Sequence, residues 1–104
     1  MTKWLRCYWD EEDIWFYFEL DADGQVTRQV ELQEPELTPL AAASLEEWQH
    51  AQETSRLAEY EANYGLTAEL PFQEWEGHEP QGLSADEFEG VWAAAREQIE
   101  LRSR

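Results

Sequence analysis

Residues 3–20 have the sequence KWLRCYWDEEDIWFYFEL, and this stretch decides the fold. It contains seven of the fourteen aromatic residues in the 104-residue chain. Residues 3–9 and 14–20 are rich in strand-forming types and flank the acidic run 10–13, which predicts two antiparallel strands joined by a four-residue loop. Because side chains alternate between the faces of a sheet, large rings fall on both faces of this hairpin. One face can build a core, and the other must contact a helix, a second copy of the chain or a different protein.

A third strand is predicted over residues 25–32, where apolar and polar residues alternate. The preceding residues 21–24, DADG, suit a type I turn with the glycine in the left-handed conformation, which makes a three-residue hairpin loop with a bulge. The register set by this loop pairs Phe18 with Arg28 and places Arg28 among apolar neighbours. Two hypotheses follow: Arg28 runs its stem along the sheet to reach an acid or a ring, or it forms an anion site or a partner contact.

The two loops together determine which side chains share a face of the sheet. The predicted core face is Leu5, Cys7, Trp9, Ile14, Phe16, Phe18, Leu20, Val26, Val30 and Leu32. The opposite side of the first hairpin carries four rings and an arginine, which we call the aromatic face: Trp4, Arg6, Tyr8, Trp15 and Tyr17. Because Trp, Tyr and Arg are enriched at binding hot spots, the aromatic face is the predicted partner-binding surface. The acids of the adjoining loop belong to the same predicted surface: Asp10, Glu11, Glu12 and Asp13.

Two helices are predicted after the strands. Ser44 and Ser84 each precede a glutamate by three residues, which is the capping-box pattern of a helix start. Apolar side chains then recur at helical spacing over residues 45–64 and 85–101. A helix packed on the aromatic face, or a homodimer formed through it, is an alternative to a different protein partner.

The connecting segments complete the predicted fold. Residues 33–43 hold two prolines and are predicted to be a connector with a short edge strand near Leu40. Residues 66–83 are a long segment that we expect to be held against the domain by its large apolar side chains, Leu70, Phe72 and Trp75. The predicted fold is α+β, a single domain over residues 1–104 with a three- to four-stranded antiparallel meander followed by two helices packed on the sheet.

The charge of the chain is extreme, with 24 acidic residues against seven lysines and arginines and a formal net charge of −17. Nucleic acid and anionic lipid are poor direct ligands for such a surface, because both require basic residues. Three explanations stay open: a solvated surface without a specific role, adaptation to high salt, and a surface that binds a basic protein. Lys3, the only lysine, is consistent with salt adaptation.

Motifs for catalysis or metal binding are weak. Residues from Glu19 onward have the Asp and Gly spacing of a calcium loop, but Val30 stands at the twelfth position, where a carboxylate is needed. His50 and His78 lack a metalloprotease frame. Cys7 is predicted to face the core as a small hydrophobe, and a single cysteine excludes an internal disulfide. No catalytic residue, metal ligand or cofactor is predicted.

The sequence shows no targeting signal, and we therefore predict a cytoplasmic location. The N-terminus has no apolar run of the secretory type. No apolar stretch approaches the roughly 18 residues of a membrane span, so no membrane association is predicted.

Two stretches resemble a family of small bacterial domains of unknown function. They are residues 19–31, with the pattern ELDxDGxVxRxVE, and residues 83–92, with the pattern LSxxEFExVW, and they cover under a third of the chain. Some members of that family are similar to immunity proteins of polymorphic toxin systems. The resemblance implies an α+β fold with a strand meander and flanking helices, and it carries over no catalytic residue.

The sequence therefore favours a non-catalytic acidic protein-binding domain, with an immunity or antitoxin-type inhibitor of a basic protein as its specific form. Acidic mimicry of nucleic acid is a variant of this hypothesis. The alternative is a small enzyme or ligand-binding domain with an aromatic pocket and carboxylates. A deep cavity lined by paired acids would favour the alternative, and a flat aromatic face with acidic borders would favour the binder.

Overall fold

The computed structural model describes residues 1–67 and 80–102. The elements in chain order are β1 (Lys3–Trp9), β2 (Ile14–Leu20), β3 (Val26–Gln33), β4 (Thr38–Ser44), α1 (Leu45–Glu53), α2 (Leu57–Tyr64), β5 (Gln81–Leu83) and α3 (Ala85–Arg102). The strands form one antiparallel sheet in the order β4-β3-β2-β1-β5. The predicted α+β class and meander are confirmed, with a fifth strand and a third helix that were not predicted.

The first hairpin has the predicted register. Trp9 pairs with Ile14 across the loop 10–13, and the pairing continues to Lys3 opposite Leu20. Asp13 closes the loop with a φ of 55°, a left-handed conformation that aspartate tolerates better than most residues. The members of the aromatic face therefore share one side of the sheet, as predicted.

The register of the second hairpin was predicted wrongly beyond its first pair. Leu20 pairs with Val26 as expected, but Glu19 pairs with Arg28, so Thr27 is an extra residue in β3 and forms a bulge. The Thr27 hydroxyl donates to the backbone oxygen of Glu19 at 3.1 Å, which stabilises the irregular pairing. Because a shift of one residue turns side chains over, the face of every later residue in β3 is reversed.

The bulge changes the core on both sides of the sheet. Val30 pairs with Tyr17 and Leu32 with Trp15, so these two aliphatic residues lie on the aromatic face and not with Phe16 and the rest of the predicted core. Gln29 and Glu31 take the opposite side. The prediction that Val30, Leu32 and Arg28 share a face with Phe18 was therefore wrong.

Both faces of the sheet are buried. Helix α3 packs on the aromatic face in a cluster of buried residues: Tyr17, Val30, Leu32, Ala42, Phe88, Ala95 and Ile99. A second buried cluster lies on the other face: Cys7, Ile14, Phe16, Phe18, Leu20 and Val26. The predicted packing of the last helix on the sheet is confirmed. This helix covers the aromatic face, which is the alternative to a partner that the sequence left open.

The predicted helix over residues 45–64 is two helices. Helix α1 ends at Thr54, whose hydroxyl donates to the backbone oxygen of His50 at 3.0 Å, and Ser55 follows with a φ of 60°. Threonine and serine compete for backbone hydrogen bonds in this way, which weakens a helix interior. Helix α2 then ends at Gly65, as predicted, with a φ of 85°.

The other connections also differ from the predictions in extent. Most of the predicted connector, residues 33–43, belongs to the strand β4. Pro39 is tolerated there because β4 is an edge strand. Part of the 66–83 segment forms β5, in which Leu83 pairs with Trp4 of β1. The expected contacts of Leu70, Phe72 and Trp75, and the environment of His78, lie outside the described residues.

The capping box at Ser84 is present as predicted. The Glu87 amide donates to the Ser84 hydroxyl at 3.1 Å, and the Ser84 amide donates to the Glu87 carboxylate at 3.0 Å. Across residues 1–67 and 80–102, no helix combines the length and apolar character needed to cross a bilayer.

Candidate functional site

The aromatic face is largely interior to the protein. Tyr17 is only 8% exposed and belongs to the cluster beneath α3. Trp4 and Trp15 are half-buried against the same cluster. Tyr8, at the end of β1, is 36% exposed. The surface predicted from the sequence is therefore narrowed to the end of the sheet where Tyr8 lies.

A network of rings and carboxylates organises that end of the sheet. We call it the hairpin rim and define it as Tyr8, residues 10–13, Trp15 and Glu34. The Tyr8 and Trp15 ring centroids are 5.0 Å apart. The Tyr8 hydroxyl donates to Asp13 at 2.6 Å, and the Trp15 indole N–H donates to Glu34 at 2.9 Å. The rim is thus a preorganised pair of rings whose polar atoms are held by acids.

The electrostatics of the rim keep Tyr8 neutral. Its hydrogen bond to Asp13, with smaller contributions from desolvation and from the charges of Asp13, Glu34 and Asp10, raises the pKa of Tyr8 to about 12. The hydroxyl is therefore a proton donor across the physiological range. Asp10, Glu11, Glu12 and Asp13 are all exposed, so the acids predicted from the sequence border the ring pair on the solvent side.

Arg6 supports the rim from within the sheet. Its guanidinium carbon lies 5.0 Å from the centroid of the Trp15 ring, and its Nε donates to the Gln81 side chain at 2.8 Å. Arg6 was predicted to contact a partner, and because it is half-buried, only part of its side chain is open to one.

Glu34 is a rim residue that the sequence interpretation missed. In an antiparallel meander the first and third connections lie at the same end, so the loops 10–13 and 34–37 adjoin. The Glu34 amide donates to the Asp13 backbone oxygen at 2.8 Å and joins the two loops directly. The second loop also presents Leu37, 43% exposed with a φ of 55°, a conformation that a leucine rarely adopts. The predicted meander is the sequence signal that could have placed Glu34 beside the loop 10–13.

A second feature, which no sequence motif indicated, is an open groove of about 1040 Å³ among α1, α2 and α3. We call it the helical groove. Carboxylates dominate its charged lining: Glu46, Glu47, Glu53, Glu59 and Glu100, against Arg56 and Arg96. Tyr60, Tyr64 and His50 also line it. Its lining comes from three helices and from the turn at residues 54–56, which brings α1 and α2 together.

Arg96 is fixed in the wall of the helical groove. Its guanidinium carbon lies 3.9 Å from the Tyr64 ring centroid and 4.4 Å from that of Trp92. Its Nε donates to the Ala42 backbone oxygen at 2.8 Å, and it forms an ion pair with Glu47. Two ring faces, a carbonyl and a carboxylate thus hold one guanidinium group.

The pKa values of Glu47 and Tyr60, which both contact Arg96, are shifted. Burial raises the pKa of Glu47, but the hydrogen bonds from Arg96 and Tyr60 outweigh it and leave that pKa below its usual value. Burial, reinforced by the hydrogen bond to Glu47, raises the pKa of Tyr60 to about 12. The Tyr60 hydroxyl donates to Glu47 at 2.8 Å and accepts from the Ser44 amide at 2.9 Å.

Arg28 has a structural role. It forms ion pairs with Glu19, at 2.6 Å, and with Glu89, and it lies 5.0 Å from the Phe88 ring centroid and 5.1 Å from that of Trp92. The hypothesis that Arg28 reaches an acid or a ring is confirmed, since it contacts both, although its cross-strand partner is Glu19 and not Phe18. Its charge is matched inside the protein.

The other candidate chemical residues are accounted for by the fold. Residues 21–24 form the predicted turn, in which the Asp21 carboxylate accepts the amides of Asp23 and Gln25 at 2.9 and 3.0 Å. Cys7 is 2% exposed, and burial raises the pKa of its thiol to about 11. In the described ranges no three His, Cys, Asp or Glu side chains converge on a point where a metal ion could bind.

Comparison of the chain with models of known protein families, with curated proteins and with solved structures gave no match.

Proposed function

We propose that this protein is a non-catalytic acidic domain that binds a basic protein through the hairpin rim. One observation carries the proposal: Tyr8 and Trp15 contact each other and are hydrogen-bonded to Asp13 and Glu34, beside the exposed acids of the 10–13 loop. Rings with little freedom to lose bind at low entropic cost. Acids around them attract and orient a cationic partner.

The distribution of positive charge supports the same proposal. Four of the seven basic side chains bond to groups of their own chain: Arg6, Arg28, Arg96 and Arg102. The structure's three described ion pairs involve only Glu19, Glu47 and Glu89. Most carboxylates in residues 1–67 and 80–102 therefore form no ion pair. The resulting negative field speeds association with a basic protein.

The specific form that we propose is an immunity or antitoxin-type inhibitor of a basic toxin or nuclease. Such an enzyme has a cationic surface for its own polyanionic substrate, and an acidic domain can occupy that surface. The resemblance of residues 19–31 and 83–92 to small bacterial immunity-like domains supports this form. Acidic mimicry of nucleic acid would add a steep loss of affinity with rising salt.

The test begins with capture of a partner from native lysate, followed by calorimetric titration of the purified partner. The rim variants are Tyr8→Ala and the double variant Glu11→Gln, Glu12→Gln. The matched control is Asp23→Asn with Glu97→Gln, which removes the same charge from exposed sites outside the rim. Tyr17 is unsuitable for this purpose because it is buried beneath α3.

We expect each rim variant to weaken binding by about tenfold or more, which is the scale of a hot-spot contact. The control should change the dissociation constant by less than about twofold, since exposed charges away from an interface contribute little. A partner that binds the rim variants and the control equally well would refute the rim as the binding surface.

A second candidate function is ligand binding in the helical groove, and the carboxylates and tyrosines that line it favour this candidate. The lowered pKa of Glu47 favours its ionised form, which accepts hydrogen bonds from a cation. Screening the chain by NMR against small cationic compounds tests this candidate. Shifts confined to the residues lining the groove would support it, and a chain that binds none of them would reject it.

A further inference from the structure

We propose that the helical groove is a docking site for an arginine side chain on an exposed segment of the basic partner. The inference rests on the proposed function and adds a second contact surface to it. The groove lies among α1, α2 and α3 and is open to solvent, with a volume of about 1040 Å³. A space of that size accommodates a long side chain and the backbone that carries it.

The groove has an excess of unmatched negative charge. Glu46, Glu53, Glu59 and Glu100 form no ion pair with any described residue. Glu47 is the one lining carboxylate that a described arginine, Arg96, neutralises. The charge complement of this lining is a cation, and several carboxylates around an open space can accept the parallel N–H donors of one guanidinium.

The aromatic part of the lining favours arginine over lysine. Tyr60 and Tyr64 are half-buried, and their ring centroids are 5.2 Å apart. A planar guanidinium stacks on such rings and donates to carboxylates in its own plane, whereas an ammonium group is a strongly hydrated point charge.

Arg96 is an internal example of this recognition. Its guanidinium group already combines the Tyr64 ring face, the Glu47 carboxylate and the Tyr60 hydroxyl, which accepts at 3.4 Å. Tyr60, Glu53 and Glu59 also line the groove. The groove therefore offers a second guanidinium the same types of group, a tyrosine ring and carboxylates.

The test titrates the chain with two synthetic peptides of equal length and charge, a glycine–serine sequence bearing four arginines and the same sequence bearing four lysines. The groove variant is Glu53→Gln with Glu59→Gln, and the matched control is Asp23→Asn with Glu97→Gln, which removes the same charge outside both the groove and the rim. All four side chains are exposed, so neither variant removes a core contact. Thermal melts of both variants should match that of the parent.

We expect the arginine peptide to bind the parent several-fold more tightly than the lysine peptide. The groove variant should weaken arginine-peptide binding by about tenfold, as expected for loss of a bidentate charge-assisted contact, and the control variant by less than about twofold. Equal weakening by the two variants, or equal binding of the two peptides, would mean diffuse attraction and would overturn the proposal. Free arginine that binds as tightly as the peptide would also overturn it, in favour of a small-molecule site.

The experiments distinguish a failure of the rim proposal from a failure of the groove proposal. If the rim variants bind the captured partner normally while the groove variant loses the arginine peptide, the rim is wrong and the groove stands. If the groove variant retains the peptide while the rim variants lose the partner, the groove is wrong and the proposed function stands.

Discussion

Trp92 contacts two guanidinium groups, with the guanidinium carbons of Arg28 and Arg96 at 5.1 and 4.4 Å from its ring centroid. One arginine comes from strand β3 and the other from α3 itself, and each also pairs with a carboxylate. Arg28 attaches α3 to β3 through Phe88, Trp92 and Glu89. Arg96 attaches α3 to Ala42 of β4 and to Glu47 of α1. These two arginines therefore have structural roles.

Replacing Arg28 tests this structural role. Arg28→Leu leaves the Glu19 carboxylate, whose side chain is 16% exposed, without its cationic partner. Breaking a buried pair costs about 3–5 kcal/mol, and we expect about 2 kcal/mol here because the pair is partly exposed. Urea unfolding provides the measurement, and Arg56→Leu, at an exposed position, is the control. An unchanged unfolding midpoint for Arg28→Leu would show that the ion pairs contribute nothing to stability.

Glu31 provides a test by pH. Burial raises the pKa of Glu31 above its usual value, against a smaller opposing effect of the hydrogen bond from Gln29. A raised folded-state pKa means that Glu31 favours folding at low pH and that this contribution is lost as pH rises through the folded pKa. Glu31→Gln should therefore increase the free energy of unfolding at pH 7 and lose that advantage near pH 4. A variant that is less stable than the parent at pH 7 would contradict this account.

At the scale of elements, the first hairpin shows what a sequence determines locally. The loop 10–13 and the strands beside it set one register, and the predicted pairing was correct in full. In the second hairpin, the extra residue Thr27 reverses the faces of the rest of β3, and regular alternation of Val26, Val30 and Leu32 concealed it. A bulge depends on cross-strand bonds such as that from Thr27 to Glu19, which no pattern in β3 alone reveals.

The same limit applies to the candidate site. Tyr8 and Trp15 could be assigned to one face from local pairing, but Glu34 reaches them only through the third connection of the sheet. The helical groove could not be predicted, because a helix over 45–64 without a break would not bring α1 and α2 side by side. Thr54 and Ser55 are common residues, so they did not mark the break in advance.

Two glycines test how the helices are positioned. A Cβ at Gly65 would lie 2.8 Å from the Cβ of Ala41 in β4, and the φ of 85° is unfavourable for alanine. Gly65→Ala should therefore lower stability by about 1–3 kcal/mol through strain and overpacking. Gly90→Ala in α3 meets nothing within 4 Å and should raise stability by about 1 kcal/mol through helix propensity. Thermal unfolding measures both, and shifts in the same direction would contradict this description of the helix contacts.

At the scale of the whole molecule, the rings of the aromatic face lie in two environments, the core and the rim. Helix α3 covers most of the aromatic face and turns it into core, while Tyr8 and its neighbours stay at the rim. The carboxylates that give the chain its formal net charge of −17 lie mainly outside these cores. The protein therefore combines two buried clusters with a self-repelling surface.

Salt should change the stability of this protein and its rate of binding in opposite directions. Raising NaCl from about 0.05 M to about 0.5 M should increase the unfolding temperature, because it screens repulsion among the surface acids. The same change should slow association with a basic partner, because it screens the attraction as well. Melting curves and stopped-flow association rates test the two effects. A melting temperature that falls with salt would show that attractive surface pairs outweigh the repulsion.

The most direct test of the central claim is an amide chemical-shift map of the labelled chain on addition of its purified basic partner. The account predicts that the largest shifts fall in the two adjoining loops, residues 10–13 and 34–37, and at Tyr8 and Trp15. Shifts concentrated at the opposite end of the sheet, around residues 21–24, with the rim unchanged, would contradict it.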